Sequence, residues 1–178
     1  MSKHIFFITG ASGVGKTTLV SNLKKKYQEQ SNWIFLHFDS IGVPIPEEMK
    51  HSYGSGENWQ KEMTFKWIKR MINKYKDKKV IIFEGQVNLK FILEGFSKNN
   101  FHNYDIILMD CDENTMIRRL ADDINKPELI NQDMKNWLAY LRKQAIVLHV
   151  KIIDTSIISQ SQTVEHFEKI LAQSVKLS

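Results

Sequence analysis

Apolar runs of strand length alternate along this chain with stretches of helical period. The strand-like runs lie at 4–9, 33–38, 79–84, 104–110 and 147–154. Ile5-Phe6-Phe7-Ile8, Val80-Ile81-Ile82-Phe83 and Ile106-Ile107-Leu108-Met109 carry no polar residue at all. Parallel strands buried on both faces read this way, whereas strands with one wet face alternate. Between the runs, apolar positions recur every three or four residues, the spacing of one helix face. Leu19, Val20, Leu23 and Tyr27 form the first stripe, and Trp59, Met63, Trp67, Met71 and Tyr75 with Ile68 and Ile72 the second. A shorter helix is expected over 89–96. Met116, Ile117 and Leu120 open another with Asp112 placed to cap it, and Met134, Trp137, Leu138, Leu141 and Ala145 mark one capped by Asn131. Val164, Phe167, Leu171 and Val175 close the chain. Strict alternation of strand and helix predicts an α/β fold, a parallel sheet with helices on both faces.

Two stretches break the alternation. Residues 41–58 carry Pro44, Pro46 and Gly54-Ser55-Gly56, and residues 122–132 are polar with Pro127. Both read as mobile loops leading from the carboxyl ends of strands. With no repeat, low-complexity tract or linker, the 178 residues are expected to form one domain, 1–178.

Composition changes this picture little. Hydrophobic residues make up 42% and charged residues 25%, an ordinary globular balance, and no apolar run reaches the ~20 residues of a membrane helix. Cys111 is the one cysteine, so no internal disulfide can form and a reducing, cytoplasmic setting is expected. The net charge of +5 invites a nucleic-acid partner, but only four basic residues are Arg (Arg70, Arg118, Arg119, Arg142). The lysines are spread over helix faces and turns, so charge alone argues weakly for nucleic acid.

One motif carries specific chemistry. Gly10-Ala11-Ser12-Gly13-Val14-Gly15-Lys16-Thr17, followed by Thr18, matches G-x-x-x-x-G-K-[ST] at every fixed position. A polyphosphate must be wrapped by backbone N–H groups, and glycine permits conformations and approaches that a Cβ would block. A following helix aims its positive dipole end at the phosphates. Lys16 can bridge the outer two phosphates, and the Thr17 hydroxyl can ligate Mg²⁺. The apolar run before the loop and the amphipathic stripe after it supply the strand–loop–helix setting that this mechanism requires.

On this motif and the order of its elements, the chain resembles the small-molecule kinases of the P-loop NTPase superfamily: nucleoside and nucleotide kinases, shikimate and gluconate kinases, and chloramphenicol phosphotransferases. The resemblance spans the chain as an order of elements, but only residues 10–18 as a specific motif. It implies a three-layer α/β/α sandwich on a five-stranded parallel sheet. It also implies ATP and Mg²⁺ as cofactors and transfer of the γ-phosphate to a small-molecule acceptor. An acceptor region then falls at about 41–58, with Tyr53, Glu57 and Trp59 along its pocket, and a lid at about 121–132.

The same resemblance suggests roles for strand-end residues. Asp39 stands where such kinases carry an acidic residue facing the acceptor hydroxyl, although it also fits as a cap on Ser40-Ile41-Gly42. Glu84 closes an apolar run and either supports Mg²⁺ or contacts the acceptor. Arg118 and Arg119 before the lid-like stretch and Arg142 after it are candidates to meet the transferring phosphoryl group, and Arg119, flanking the buried face of its helix, is the one named for that role. The lid-like stretch holds only Lys126 and no Arg, unlike lids rich in arginine. Asp154-Thr155-Ser156 falls where such kinases border the adenine.

Other nucleotide-binding classes fit less well. Asp39-Ser40-Ile41-Gly42 satisfies D-x-x-G, and Asn125-Lys126-Pro127-Glu128 comes near the guanine-reading N-K-x-D, which points to a regulatory GTPase. Yet Asp39 follows Lys16 too closely to leave room for a first switch segment, and Glu128 replaces the required Asp. An ATP-driven assembly protein and a nucleic-acid end kinase also remain compatible with the loop. The six histidines show no metal-ligand spacing, so a zinc site is not expected.

Overall fold

The computed structural model describes residues 3–176. Five strands, β1 (His4–Thr9), β2 (Trp33–His37), β3 (Val80–Gly85), β4 (Tyr104–Asp110) and β5 (Lys151–Asp154), form one parallel sheet in the order β2-β3-β1-β4-β5. Successive side chains of a strand point to opposite faces. On one face, Ile5 and Phe7 of β1 join Trp67, Ile68 and Met71 of α3 (Gly56–Lys74) and Leu89, Ile92 and Phe96 of α4 (Leu89–Lys98). On the other, Phe6 and Ile8 join Leu19 and Leu23 of α1 (Lys16–Lys26) and Phe167 of α7 (Gln160–Lys176). Because both faces are covered, β1 and β3 are buried along their whole length, which is why their apolar runs are unbroken. The three-layer, five-stranded architecture is the expected one.

Topology creates a crevice. The chain leaves β1 through α1 on one face and leaves β3 through α4 on the other. Adjacent strands whose connections diverge open a cleft at their carboxyl ends, where ligands of open α/β sheets bind. The Gly10–Thr18 loop and Glu84-Gly85-Gln86 both lie at that edge.

The stretch 41–58 is not the loop that its prolines and glycines suggested. It carries α2 (Pro46–Tyr53), with Pro46 in the first turn, Glu47 and Glu48 complementing the positive end, and Gly54 closing it in the left-handed region at φ 80. Ser55 then caps α3 by accepting from Asn58 N. Residues read as loop markers are start and stop signals of two consecutive helices. Residues 122–132 are also partly ordered, by a wide π turn over Arg119–Asp123 and a 3₁₀ turn over Pro127–Leu129. The last strand is shorter than expected. Helix α6 (Gln132–Val147) continues through Ile146 and Val147, both largely exposed, and the chain turns at His149 before β5 begins at Lys151. β-Branched residues at that helix end imitated a strand. The predicted caps Asp112 and Asn131 accept from Thr115 N and Met134 N.

At the amino ends of the strands, away from the crevice, Asp105 joins three strands by bonding to His4 of β1 and Lys151 of β5. Burial alone would raise its pKa, but these hydrogen bonds hold the carboxyl well below the usual carboxylate range. A group depressed in the folded state adds stability above its unfolded pKa of about 4, and loses it as pH falls towards the folded value. Asp105→Asn is therefore expected to cost roughly 2 kcal/mol near neutrality, the scale of a hydrogen bond to a charged group. Urea denaturation should show the gap from wild type narrowing at about pH 3. An equal gap at both pH values would show that Asp105's charge plays no part.

Candidate active site

The loop from Gly10 to Gly15 joins the carboxyl end of β1 to the amino end of α1. Gly10 packs so closely on β4 that an added Cβ would lie 2.4 Å from Met109 O. Gly15 caps α1 with φ 97, a left-handed conformation that costs glycine nothing. Ala11 and Val14 bury their side chains and anchor the loop, which leaves its backbone free to face a ligand. Ser12 donates to Gln86 Oε1 at 3.0 Å and ties the loop to the segment after β3.

Lys16 and Thr17 open α1 and border a cleft of about 490 Å³ shared with His37, Asp39, Glu84, Gln86 and Lys126. Lys16 Nζ donates to Ala11 O at 2.7 Å. Enclosure by the loop pushes its pKa down to about 8, against the pull of Glu84 and Asp39. Thr17 Oγ1 donates to Glu84 Oε2 at 3.1 Å. Glu84 is almost fully buried, and that burial raises its pKa although His37, Lys16 and Thr17 all favour its charged form.

Strand register explains one neighbour that pattern reading passed over. His37 pairs with Glu84 across β2 and β3, which puts its Nε2 3.4 Å from Glu84 Oε1. Its other nitrogen, Nδ1, accepts from Asp39 N at 3.3 Å. The visible signal was a polar residue closing an otherwise apolar strand beside the cleft. Asp39 sits on a 3₁₀ turn, Phe38–Ile41, pinned from below by Trp67 Nε1 donating to Phe38 O at 3.0 Å. Its exposed carboxylate takes no hydrogen bond from that turn and lines the cleft.

Arg119 lies on the other side of the loop. Its guanidinium donates to Thr155 O at 2.7 Å, Thr155 Oγ1 at 2.9 Å and Gly13 O at 3.4 Å. Thr155 is buried, with its hydroxyl 3.0 Å from Val14 O, so the segment after β5 and the π turn are clamped onto the loop together. Arg119 and Thr155 line a cavity of about 310 Å³ with Gly13, Gly15 and Thr18. Arg142 is locked to Asp110 at 2.6 and 3.0 Å, and exposed Arg118 reaches only Asp123.

A third cavity, of about 580 Å³, opens beside Gln86 between α3, α4 and α6. Glu57, one of the three residues named for the acceptor pocket, lines it. Trp59 and Tyr53 do not: Trp59 is a core residue edge-on to Phe38, and Tyr53 packs against the same core. Gln60, Asn88, Trp137 and Tyr140 line it instead, from elements that only the fold brings together.

Residues 6–138 match the model of a family described as the AAA domain. The chain belongs to this family of P-loop domains. No curated protein matches it in sequence. Among solved structures, this AAA-domain chain is similar to a gluconokinase from Sinorhizobium meliloti 1021, with TM-score 0.66, 12% identity, and 98% of this chain and 93% of that one covered. A Deinococcus radiodurans tunicamycin resistance protein gives TM-score 0.65 at 16% identity over 95% of each chain. Shikimate kinase from Acinetobacter baumannii gives 0.63 at 16% identity over 96% and 94%. At such identities the likeness establishes a small-molecule-kinase-like fold, and a P-loop domain implies nucleotide binding. Among the described residues no helix is long and apolar enough to cross a membrane.

Proposed function

We propose that this chain is an ATP-dependent phosphotransferase acting on a hydroxyl of a small molecule. One observation carries the reading. The cleft in which Lys16 and Thr17 face Glu84 and Asp39 borders, through Gln86, a separate cavity large enough for a second substrate. A domain that only bound or hydrolysed nucleotide would have no need of that second chamber.

The residues divide the work. Backbone groups of Gly10, Ala11, Ser12, Gly13, Val14 and Gly15, with Thr18, cradle the phosphates, and Lys16 bridges the outer two. Thr17 and Glu84 present hard oxygen donors 3.1 Å apart, a set that suits Mg²⁺, which commonly takes one or two protein groups besides phosphate oxygens. When bound, that ion would offset charge on the β- and γ-phosphates.

Asp39 takes the acceptor hydroxyl's proton, the oxygen forms a bond to the γ-phosphorus, and the bond to the β–γ bridging oxygen breaks to release ADP. Arg119 braces the loop beside the cavity of about 310 Å³, to which we assign the nucleoside, and it supports the phosphates during transfer through the loop it holds. Lys126 brings a second positive charge to the cleft from the lid-like segment.

Thermal unfolding with each nucleotide tests the first half of this reading. ATP with Mg²⁺ at about 100 times its Kd should add ~2.7 kcal/mol of stability, visible as a raised Tm. A larger rise with GTP would return the guanine-binding alternative. ATP turnover that no hydroxyl compound increases would favour an ATP-driven assembly protein instead.

A further inference from the structure

The third cavity has an unusual charge balance for a protein of net charge +5. Glu57 and Asp133 line it with Gln86, Phe91, Trp137 and Tyr140, and no Lys or Arg side chain lines it. Glu57 and Asp133 form no ion pair with any described residue. Every guanidinium of the chain is committed elsewhere: Arg70 over the Trp67 ring, Arg118 at Asp123, Arg119 at Thr155, and Arg142 at Asp110. Lys16 and Lys126 face the phosphoryl cleft, and Lys61, 5.7 Å from the Phe91 ring, is paired with Glu94.

Uncharged polar and aromatic groups make up the rest of the wall. Gln60 bridges the segment after β3, donating to Gln86 O at 3.0 Å and accepting from Asn88 N at 3.1 Å. Asn88 Nδ2 donates to Tyr140 OH at 3.2 Å. Gln86 and Asn136 each use their side-chain oxygen within the protein, leaving an amide N–H₂ for a ligand. The Trp137 and Tyr140 rings stack on each other 5.5 Å apart at 26°, and Tyr140, 40% exposed, lines the cavity with its free side.

We propose that this cavity binds the phosphate acceptor, and that the acceptor is a hydroxyl-bearing ring compound without negative charge, neutral or amine-bearing. The identification rests on the phosphotransferase reading above. A carboxylate or phosphate taken out of water needs a guanidinium or ammonium beside it, and bidentate Arg is the usual partner. Here such a group would meet two free carboxylates instead. A flat ring gains from the aromatic wall, amides satisfy its polar edge, and an amine gains further from Glu57, Asp133 and the ring faces. Gln86, shared by both chambers, marks the side from which the hydroxyl reaches Asp39.

The indole ring C–H signal of Trp137, assigned by loss in Trp137→Phe, reports on this cavity, which the ring lines while its Nε1 is buried. Uridine serves as a neutral ring probe, kanamycin as a cationic one, and shikimate and gluconate as anionic ones. Uridine or kanamycin should shift the signal and be phosphorylated with ATP and Mg²⁺, at a kcat/KM at least ~100-fold above either acid. Tyr140→Ala should raise KM for that probe ~10-fold or more while leaving the ATP-induced rise in Tm unchanged. Phosphorylation of shikimate or gluconate, or a Trp137 signal that neither uridine nor kanamycin moves, overturns the assignment. A probe that moves the signal without being phosphorylated keeps the cavity assignment and removes the phosphotransferase reading.

Discussion

Lys16→Ala is expected to lower turnover at least ~10²-fold, about 2.7 kcal/mol of barrier, and to weaken ATP binding while leaving the fold intact. The side chain starts α1 at the mouth of the loop and is only half-buried, so its removal opens no core cavity. What it loses is a cation held against the phosphates. The pKa of about 8 adds a second signature. Above pH ~8 the free protein increasingly carries Lys16 neutral, whereas bound phosphates favour the ammonium. Nucleotide binding should therefore take up a proton near pH 8.5 (about half a unit above that pKa), and affinity should fall as pH rises further. Calorimetry in two buffers of different ionisation heat measures that uptake, and Lys16→Ala should abolish it. Unchanged ATP affinity together with unchanged turnover in the variant would remove the loop from function.

Asp39→Asn should lower kcat by ~10² to 10⁴-fold, about 2.7 to 5.5 kcal/mol, while ATP binding survives. Asp39 stands on its own turn without a hydrogen bond to its carboxylate, so the amide keeps the shape and loses only the proton-accepting charge. Glu84→Gln should act differently. Its partner Thr17 lies on α1, and the pair meets at the phosphate end of the cleft, so the variant should need more Mg²⁺ for half activity. Titrating Mg²⁺ at saturating ATP separates the two effects once an acceptor is found. If Glu84→Gln loses the chemical step at every Mg²⁺ concentration and Asp39→Asn turns over normally, the two roles are exchanged. Two unaffected variants would place the chemistry elsewhere.

Much of this fold and of the loop is legible in the sequence. Unbroken runs such as Val80-Ile81-Ile82-Phe83 can be stable only as strands covered on both sides, because an exposed face of that kind would remain in water at high cost. Alternation with helical stripes then limits the architecture to a parallel sheet between helix layers. The loop motif is equally local: eight consecutive residues hold all its chemistry, and the strand and helix that frame it adjoin in sequence. Asp112 and Asn131 were readable as caps for the same reason, since each cap bonds a backbone N–H three residues on.

Contacts between distant segments were not legible. His37 meets Glu84 only because β2 and β3 pair in a particular register, and a one-residue slip would turn it to the other face. Arg119 braces the loop against Thr155, 36 positions away, a partner no helix-face argument could identify. The cavity beside Gln86 draws on α3, the segment after β3, α4 and α6, so its charge is a property of their packing and not of any window of sequence. Prolines and glycines at 44–56 misled because the same residues start and stop helices as punctuate loops; their neighbours' packing decides between them. Sequence by itself determined what is local and periodic: the strands, the helices and the phosphate loop. Tertiary structure decided which side chains share a cleft, because that depends on register and on which face each connection crosses.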